Sequence, residues 1–359
     1  MTARDILLKI LFFLILIYLF FVSIQLMGSA FKLFGVDFAE SLIKTTSNPF
    51  VGLLVGILAT SVVQSSSCTT SIVVGFVASG SLTIVNAVPI IMGANVGTTV
   101  TNILVSLNHV HRRTEFERAF AGATCHDFFN LLSLIVIFPL QVRFKVLSRL
   151  ACFLTDSFVR IGGIEFVSPL KLVTGPVVGL LKAACHNQAV IMLIVALVIL
   201  FFSLRFITQL MRGLVATRAE KSLNRHVFNS PGRAFLMGAT LTAIIQSSSV
   251  ATSLMVPLVG AGLITVEKKY PYTLGTNVGT TVTTILASLA TANPAAITIA
   301  LCHLLFNVIG IAVFYPLRWI PIGLAKELGR RVAKARWQAI VYVFVAFYVV
   351  PIILIFLWR

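Results

Sequence analysis

Acidic side chains are scarce in this chain: its 359 residues carry 11 Asp and Glu against 28 Lys and Arg, and charged residues of both signs make up only 11%. A soluble domain is about a quarter charged, so this composition excludes an ordinary soluble fold. Three long stretches lack charge altogether, between Thr45 and His111, between Ala234 and Val266, and between Tyr270 and Leu317. Cysteine is also sparse. Five residues with no CxxC pair support neither a zinc site nor a dithiol redox centre. Cys68, Cys125 and Cys302 fall in apolar runs as packing residues, while a disulfide between Cys152 and Cys185 is left open. No nucleophile–base pair or metal cluster stands out, which argues against an enzyme.

What is present is apolar: 58% of residues, with a mean hydropathy of +1.00. The formal charge of +17 could suggest nucleic acid, but the basic residues cluster between apolar blocks, as a positive-inside topology signal does. The first block, Ile6 to Met27, is long enough to cross a bilayer and too long for a signal-peptide core, and no convincing cleavage site follows.

The chain repeats itself. Gln64-Ser65-Ser66-Ser67 returns 182 positions later as Gln246-Ser247-Ser248-Ser249. The run Gly93-x-Asn95-Val96-Gly97-Thr98-Thr99-Val100-Thr101 returns at the same offset as Gly275-x-Asn277-Val278-Gly279-Thr280-Thr281-Val282-Thr283. Between quartet and run, half the aligned positions are identical. A further element, Cys125-His126-Asp127 through Asn130, matches Cys302-His303-Leu304 through Asn307. Repetition at a fixed offset sets the architecture before any local detail does.

Apolar blocks 49–80 and 234–262 are each split by their quartet into two arms of roughly 13 to 16 residues, about 20 Å of helix, too short for a hydrocarbon core of about 30 Å. Each pair of arms is therefore expected to form a re-entrant hairpin with the quartet at its tip. The segments Arg205–Arg233 and Arg318–Arg336 are strongly basic and read as cytoplasmic, and the connector 141–188 is dilute in Lys and Arg and reads as external. The repeats then run in opposite senses through the membrane. The expected fold is an all-α polytopic membrane protein of two inverted-topology repeats, with re-entrant helical hairpins and discontinuous transmembrane helices. Its parts are an N-terminal transmembrane helix and linker (1–48), transport repeat 1 (49–140), an extracytoplasmic connector (141–188), a transmembrane helix with a basic cytoplasmic loop (189–233), transport repeat 2 (234–317), and a basic loop with a C-terminal transmembrane helix (318–359).

With no charge in the repeats, a cation there would be held by hydroxyls, amide oxygens and released backbone carbonyls, a donor set that suits Na⁺. Proton coupling would need a titratable relay, and only His126, Asp127 and His303 offer one. An anion can use the same place, because a broken helix presents unsatisfied N–H groups and serine hydroxyls supply rotatable donors. The glycines permit turns or close backbone approach. Set against these readings, small polar residues are common in membrane helix packing, and buried, hydrogen-bonded histidines are commoner than ligands. Asp127 has no counterpart in the second half and is either a site carboxylate or paired with Arg112, Arg113 or Arg118.

These residues resemble the type II sodium-dependent phosphate cotransporters. The match takes in both quartets, both GxNVGTTVT runs, Ala119 through Asn130, Ala300 through Asn307, and the stretch from Leu324 to Trp337. Leu170-Lys171-Leu172-Val173-Thr174 looks like the start of the family's extracellular loop. The resemblance implies symport of inorganic phosphate with Na⁺ by alternating access. It gives phosphate to Gln64, Ser65, Ser66, Ser67, Gln246, Ser247, Ser248, Ser249, Asn95, Thr98 and Asn277. It gives Na⁺ to Gln64, Ser66, Asp127, Asn130, Gln246, Ser247, Ser248, Thr276, Thr280 and Thr283. Asp127 matches an aspartate of the electrogenic members. His109 and Arg112 depart from the Gln and Asp of animal members, and the large glycosylated loop and long tails of those members are missing, which points to a bacterial inner membrane. The expected partners are inorganic phosphate, Na⁺ and the lipid bilayer, without nucleic acid and with the N-terminus cytoplasmic; a homodimer is left open. Rival readings are a symporter of sulfate or a dicarboxylate, a channel with carbonyl filters, and a phosphate sensor.

Overall fold

The computed structural model describes residues 3–162, 169–222 and 225–358, and among them every regular element is helical. Six helices are long and apolar enough to cross a membrane: Leu7–Leu33, Ile84–His109, Arg113–Phe144, Ala189–Met211, Pro294–Phe314 and Trp337–Trp358. The first element, α1 (Ala3–Leu33), runs past the apolar block expected from the sequence. The linker after it is not irregular. Gly35, at φ +84°, turns the chain into the amphipathic α2 (Gly35–Thr45), which meets α3 (Pro49–Val63) at 99°.

Both quartets sit between short helices, as their arm lengths required. In the first half α3 is followed by α4 (Ser66–Ser79), and the GxNVGTT run lies on α5 (Ile84–Gly97) and α6 (Val100–Ser106). Then come the long α7 (Arg113–Phe144) and α8 (Val146–Gly162), followed by α9 (Pro169–Ala184) and α10 (Ala189–Ser222). A single turn, α11 (Arg225–Phe228), precedes the second hairpin of α12 (Pro231–Ile245), α13 (Ser248–Ser253) and α14 (Val256–Gly260). The second run lies on α15 (Val266–Thr291), followed by α16 (Pro294–Phe314), α17 (Trp319–Lys334) and α18 (Trp337–Phe344). A π turn at Val345–Val349 leads into α19 (Val350–Trp358).

The expected discontinuities are present but not duplicated. The first run is broken between α5 and α6, whereas α15 is unbroken; the second hairpin's return arm is split between α13 and α14, whereas α4 is whole. The caps that start the run helices do repeat. Thr83 accepts from the backbone N–H of Asn86, and Thr265 accepts from that of Lys268, one of the orphan donors in each first turn.

Most of the described connector is helical, in α8 and α9; residues 163–168 lie outside those described. Helix α8 packs on α16, and α9 packs on α1. Cys152 on α8 and Cys185 beside α9 are not joined in this structure, where all five cysteines are free.

Three glycines in each half weld the first hairpin arm to its run helix. A Cβ on Gly93 would lie 2.0 Å from the Leu53 carbonyl oxygen, and one on Gly275 would lie 2.0 Å from that of Phe235. Gly56 and Gly238 have the same relation, at 2.1 Å, to the carbonyls of Ile90 and Tyr272, and Gly97 and Gly279, at 2.5 and 2.4 Å, to those of Ile57 and Ala239. Of the two roles open to the GxNVGTT glycines, close approach is the one the structure uses; all four lie inside helices. Packing thus accounts for the glycines of the motif, and leaves its asparagines and threonines for other roles.

Candidate functional site

Each quartet is a compact device for breaking a helix. Gln64 is left-handed at φ 57° and ψ 25°, and Gln246 repeats this at 59° and 25°. The next residue is extended in both copies, Ser65 at φ −149° and Ser247 at φ −152°. A non-glycine residue in the left-handed region costs about 1–3 kcal/mol, and glycine would avoid that cost. Glutamine supplies something glycine lacks. Its Nε2 reaches back to the carbonyl three residues earlier, Ser61 at 2.5 Å and Ala243 at 2.6 Å, and satisfies an orphan acceptor of the arm it ends.

The serines divide their labour. The Ser65 hydroxyl accepts from the backbone N–H of Cys68, and the Ser247 hydroxyl from that of Val250, so the first serine of each quartet is the N-cap of the return arm. Ser66 and Ser67, like Ser248 and Ser249, occupy the first turn of that arm, where backbone N–H groups have no partner in the helix. Among the described residues the hydroxyls of Ser66, Ser248 and Ser249 make no hydrogen bond, though all three residues are buried.

The two tips meet. Ser67 Oγ donates to the Gln246 carbonyl at 3.1 Å and lies 3.5 Å from Thr283 Oγ1. Both tips open on one cavity of about 700 Å³, lined by Gln64, Ser65, Gln246, Ser247 and Ser249, with Thr101 holding the Gln64 amide oxygen at 2.7 Å. Ser66, Ser67, Ser248, Asn95, Thr98 and Asn277 are buried and do not line it. Thr98, Thr276 and Thr280 turn their hydroxyls to carbonyls of their own helices at 2.7–2.9 Å. Thr60 and Thr242, equivalent positions one turn before each glutamine, are buried with unpartnered hydroxyls.

The histidines interlock the halves. His126 Nε2 donates to the Asn277 side-chain oxygen at 2.5 Å, and His303 Nε2 faces that of Asn95 at 3.4 Å, each reaching into the other repeat's GxNVGTT run. Since an amide oxygen only accepts, Nε2 carries the proton, and His126 Nδ1 accepts from the Asn102 amide at 3.2 Å. The matching contact of His303 Nδ1 is to Thr284 Oγ1 at 2.9 Å. Asn277 then donates to Asn130 at 2.7 Å, and Asn130 to the Asn95 carbonyl at 3.0 Å. Upstream, Thr252 donates to Asn102 at 2.7 Å, mirrored by Thr284 against Thr70 at 2.9 Å. One line of neutral donors therefore crosses from the second hairpin to α5. These are hydrogen-bonded interior histidines, as the commoner reading had it, with partners the sequence did not reveal.

Asp127 breaks the symmetry. Among the described residues it is the only buried carboxylate. It accepts from Thr99 at 3.0 Å, beside the break between α5 and α6, and from the Tyr342 hydroxyl of α18. It pairs with none of the three nearby arginines. Arg112 instead holds Glu115 at 2.8 Å, and His109 faces the same carboxylate at 3.5 Å. His109 and Arg112 thus converge on one acidic side chain at the start of α7. A second tyrosine of the C-terminal segment, Tyr348, donates at 2.7 Å to the Ser61 carbonyl that Gln64 also caps. Nothing in the C-terminal apolar block marked either tyrosine. Asn102 did leave a signal, since it and Thr284 are matched polar positions inside apolar stretches.

Comparison with known proteins agrees with the repeats. The profile of the Na⁺/Pi-cotransporter family matches residues 19–138 and 199–326, and the unmatched interval contains the connector. The rat sodium-dependent phosphate transport protein 2A is 37% identical over 426 aligned residues, covering 96% of this chain and 67% of the relative. The human sodium-dependent phosphate transport protein 2B is 35% identical, covering 94% of this chain and 63% of the relative. No solved structure matches the chain at a significant level. The family profile covers both repeats and these relatives align along nearly the whole sequence, so this multi-pass membrane protein belongs to the Na⁺/Pi-cotransporter family.

Proposed function

We propose that the chain imports inorganic phosphate by symport with Na⁺, through alternating access between two inverted repeats. The observation that carries the reading is the meeting of the two quartets at one cavity, with the unpartnered Ser249 hydroxyl lining it and those of Ser66 and Ser248 buried in the first turns behind it, in a protein whose relatives are named for sodium-dependent phosphate transport. A tetrahedral oxyanion needs several convergent donors. The first turn of α4 and the serines of both tips supply them, and the helix dipole of α4 favours the negative charge. The phosphate residues on this reading are Gln64 to Ser67 and Gln246 to Ser249, with Asn95, Thr98 and Asn277 behind them.

Sodium is the coupling substrate, held by neutral oxygens of Gln64, Ser66, Gln246, Ser247, Ser248, Asn130, Thr276, Thr280 and Thr283. Thr276 and Thr280 keep lone pairs for a cation while donating to their own helices. Asp127 supplies a negative charge at a second position, beside the α5–α6 break, where a cation would offset the cost of burying it. The orientation follows from the basic segments: a cytoplasmic N-terminus in the inner membrane, with the connector outside. The bilayer is its working environment, and the exposed apolar faces of α10 and α19 suit lipid or a second copy.

Radiolabelled phosphate uptake into proteoliposomes, with Na⁺, K⁺ or proton gradients at clamped voltage, tests this. Uptake is expected to require Na⁺ and to rise with a negative interior; no uptake under any gradient would refute the substrate. Asp127→Gly is expected to lower the net charge moved per phosphate. Unchanged current per phosphate in that variant would remove Asp127 from the coupling site.

A further inference from the structure

The cavity that joins the two quartets has a wall that belongs to neither repeat. Helix α10 supplies Phe201, Phe202, Arg205, Phe206, Thr208 and Gln209 to it. Arg205, Thr208 and Gln209 are spaced i, i+3 and i+4 and share one helix face. That face is fastened to the second tip: Thr208 Oγ1 donates to the carbonyl of Ile245, the residue before Gln246, at 3.4 Å. Arg205 was grouped by sequence with the basic cytoplasmic segment, but α10 runs without a break through it to Ser222. It lies within the candidate membrane span Ala189–Met211. An arginine at that depth is costly unless it faces a cavity or a partner.

Arg205 lines the cavity and lacks an ionic partner among the described residues. It is exposed, and among the described residues no carboxylate pairs with it and no other charged residue lines the space. The remaining polar lining is neutral, from the two quartets, Thr101, Thr208 and Gln209. Hydroxyls and N–H groups can orient an oxyanion, but they do not balance its charge. A guanidinium does both, because its planar fork matches two oxygens of a phosphate. Beside the apolar rings that line this wall the attraction is stronger than in bulk water.

We infer that Arg205 is a substrate-binding residue outside the repeats, whose guanidinium holds the oxyanion in the cavity between the two quartet tips. Gln209 adds a donor one turn away, and the aromatic rings of Phe201, Phe202 and Phe206 bound the space. This deepens the phosphate reading above and rests on it. It also supplies the cationic partner that the repeats themselves do not contain, and it selects for charge where the serines select for shape.

The test is phosphate binding to full-length protein in lipid nanodiscs, in saturating NaCl, with the thermal midpoint of each variant measured in Na⁺ without phosphate. Arg205→Gln is expected to weaken phosphate binding at least tenfold, and Arg205→Lys about threefold, since lysine keeps the charge but loses the fork. The Na⁺-dependent rise in midpoint is expected to persist in both. Binding of Arg205→Gln within twofold of wild type would overturn the inference. A second measurement needs no variant: phosphate in Na⁺ is expected to slow modification of Arg205 by phenylglyoxal at least fivefold, read by peptide mass spectrometry. Equal rates with and without phosphate would overturn it. Failure of the wild-type protein to bind phosphate in Na⁺ would instead refute the substrate reading itself, before either Arg205 arm is considered.

Discussion

Alanine at Ser66 or at Ser248 is expected to lower Na⁺-dependent phosphate uptake between tenfold and a hundredfold, with the protein still reaching the membrane. Both residues open the return arm of a hairpin, both are buried, and neither hydroxyl has a partner among the described residues. Loss of a hydrogen bond to a charged group costs about 1.5–3 kcal/mol, which sets that range. Neighbouring serines sharpen the comparison. Ser65→Ala and Ser247→Ala remove an N-cap instead, at a cost of about 1 kcal/mol of helix stability, so they should lower the thermal midpoint as well as transport. Uptake kinetics and melting curves on all four variants separate the roles. Normal uptake in both Ser66→Ala and Ser248→Ala would make the quartets structural elements and move the phosphate site elsewhere.

Gly275→Ala is expected to give little or no folded protein, and Gly93→Ala the same. In each case the added methyl group would sit 2.0 Å from a backbone carbonyl oxygen of the facing arm, so two helices would have to separate. Side chains can rotate away from such a clash, but a helix backbone cannot. The cost should exceed about 3 kcal/mol, the upper end of ordinary overpacking. Gly28→Ala is the control, since nothing lies within 4 Å of its added atom. Recovery of monodisperse protein and its thermal midpoint decide the matter. A Gly275→Ala protein that melts like Gly28→Ala would mean that the arms are not held in contact by these glycines.

The repeat, the hairpins and the polar centre were legible in the sequence because each rests on local information. Gln64 and Gln246 interrupt apolar runs whose arms cannot span a bilayer, and the offset of 182 pairs each quartet and each GxNVGTT run with its counterpart. The roles within the motifs were only partly legible. GxNVGTT permits either a turn or close packing, and the choice is made by Leu53 and Phe235, which lie on another helix. Helices α2 and α8, in the linker after Met27 and in the connector, are amphipathic rather than uniformly apolar, so no apolar block marked them. Tyr342 and Arg205 reach the site from outside the duplicated segments, across sequence separations that no periodicity records. Asp127 stood out through its missing counterpart, but its partners Thr99 and Tyr342 did not.

The exchange of partners between His126 and Asn277, and between His303 and Asn95, has a consequence for how the protein comes to exist. A ribosome releasing only the first half would deliver His126 Nε2 and the side-chain oxygens of Asn95 and Asn130 to the interior of a membrane body without the second-half groups that bond them. The first half must therefore wait, incompletely set, until the second has been inserted. Expressed as two polypeptides divided within 163–168, the halves should each be degraded when alone and accumulate when made together. Independent persistence of either half would show that the shared bonds are dispensable. The duplicated chain, on this view, is a dimer that has been made covalent, with its interface passing through the polar centre.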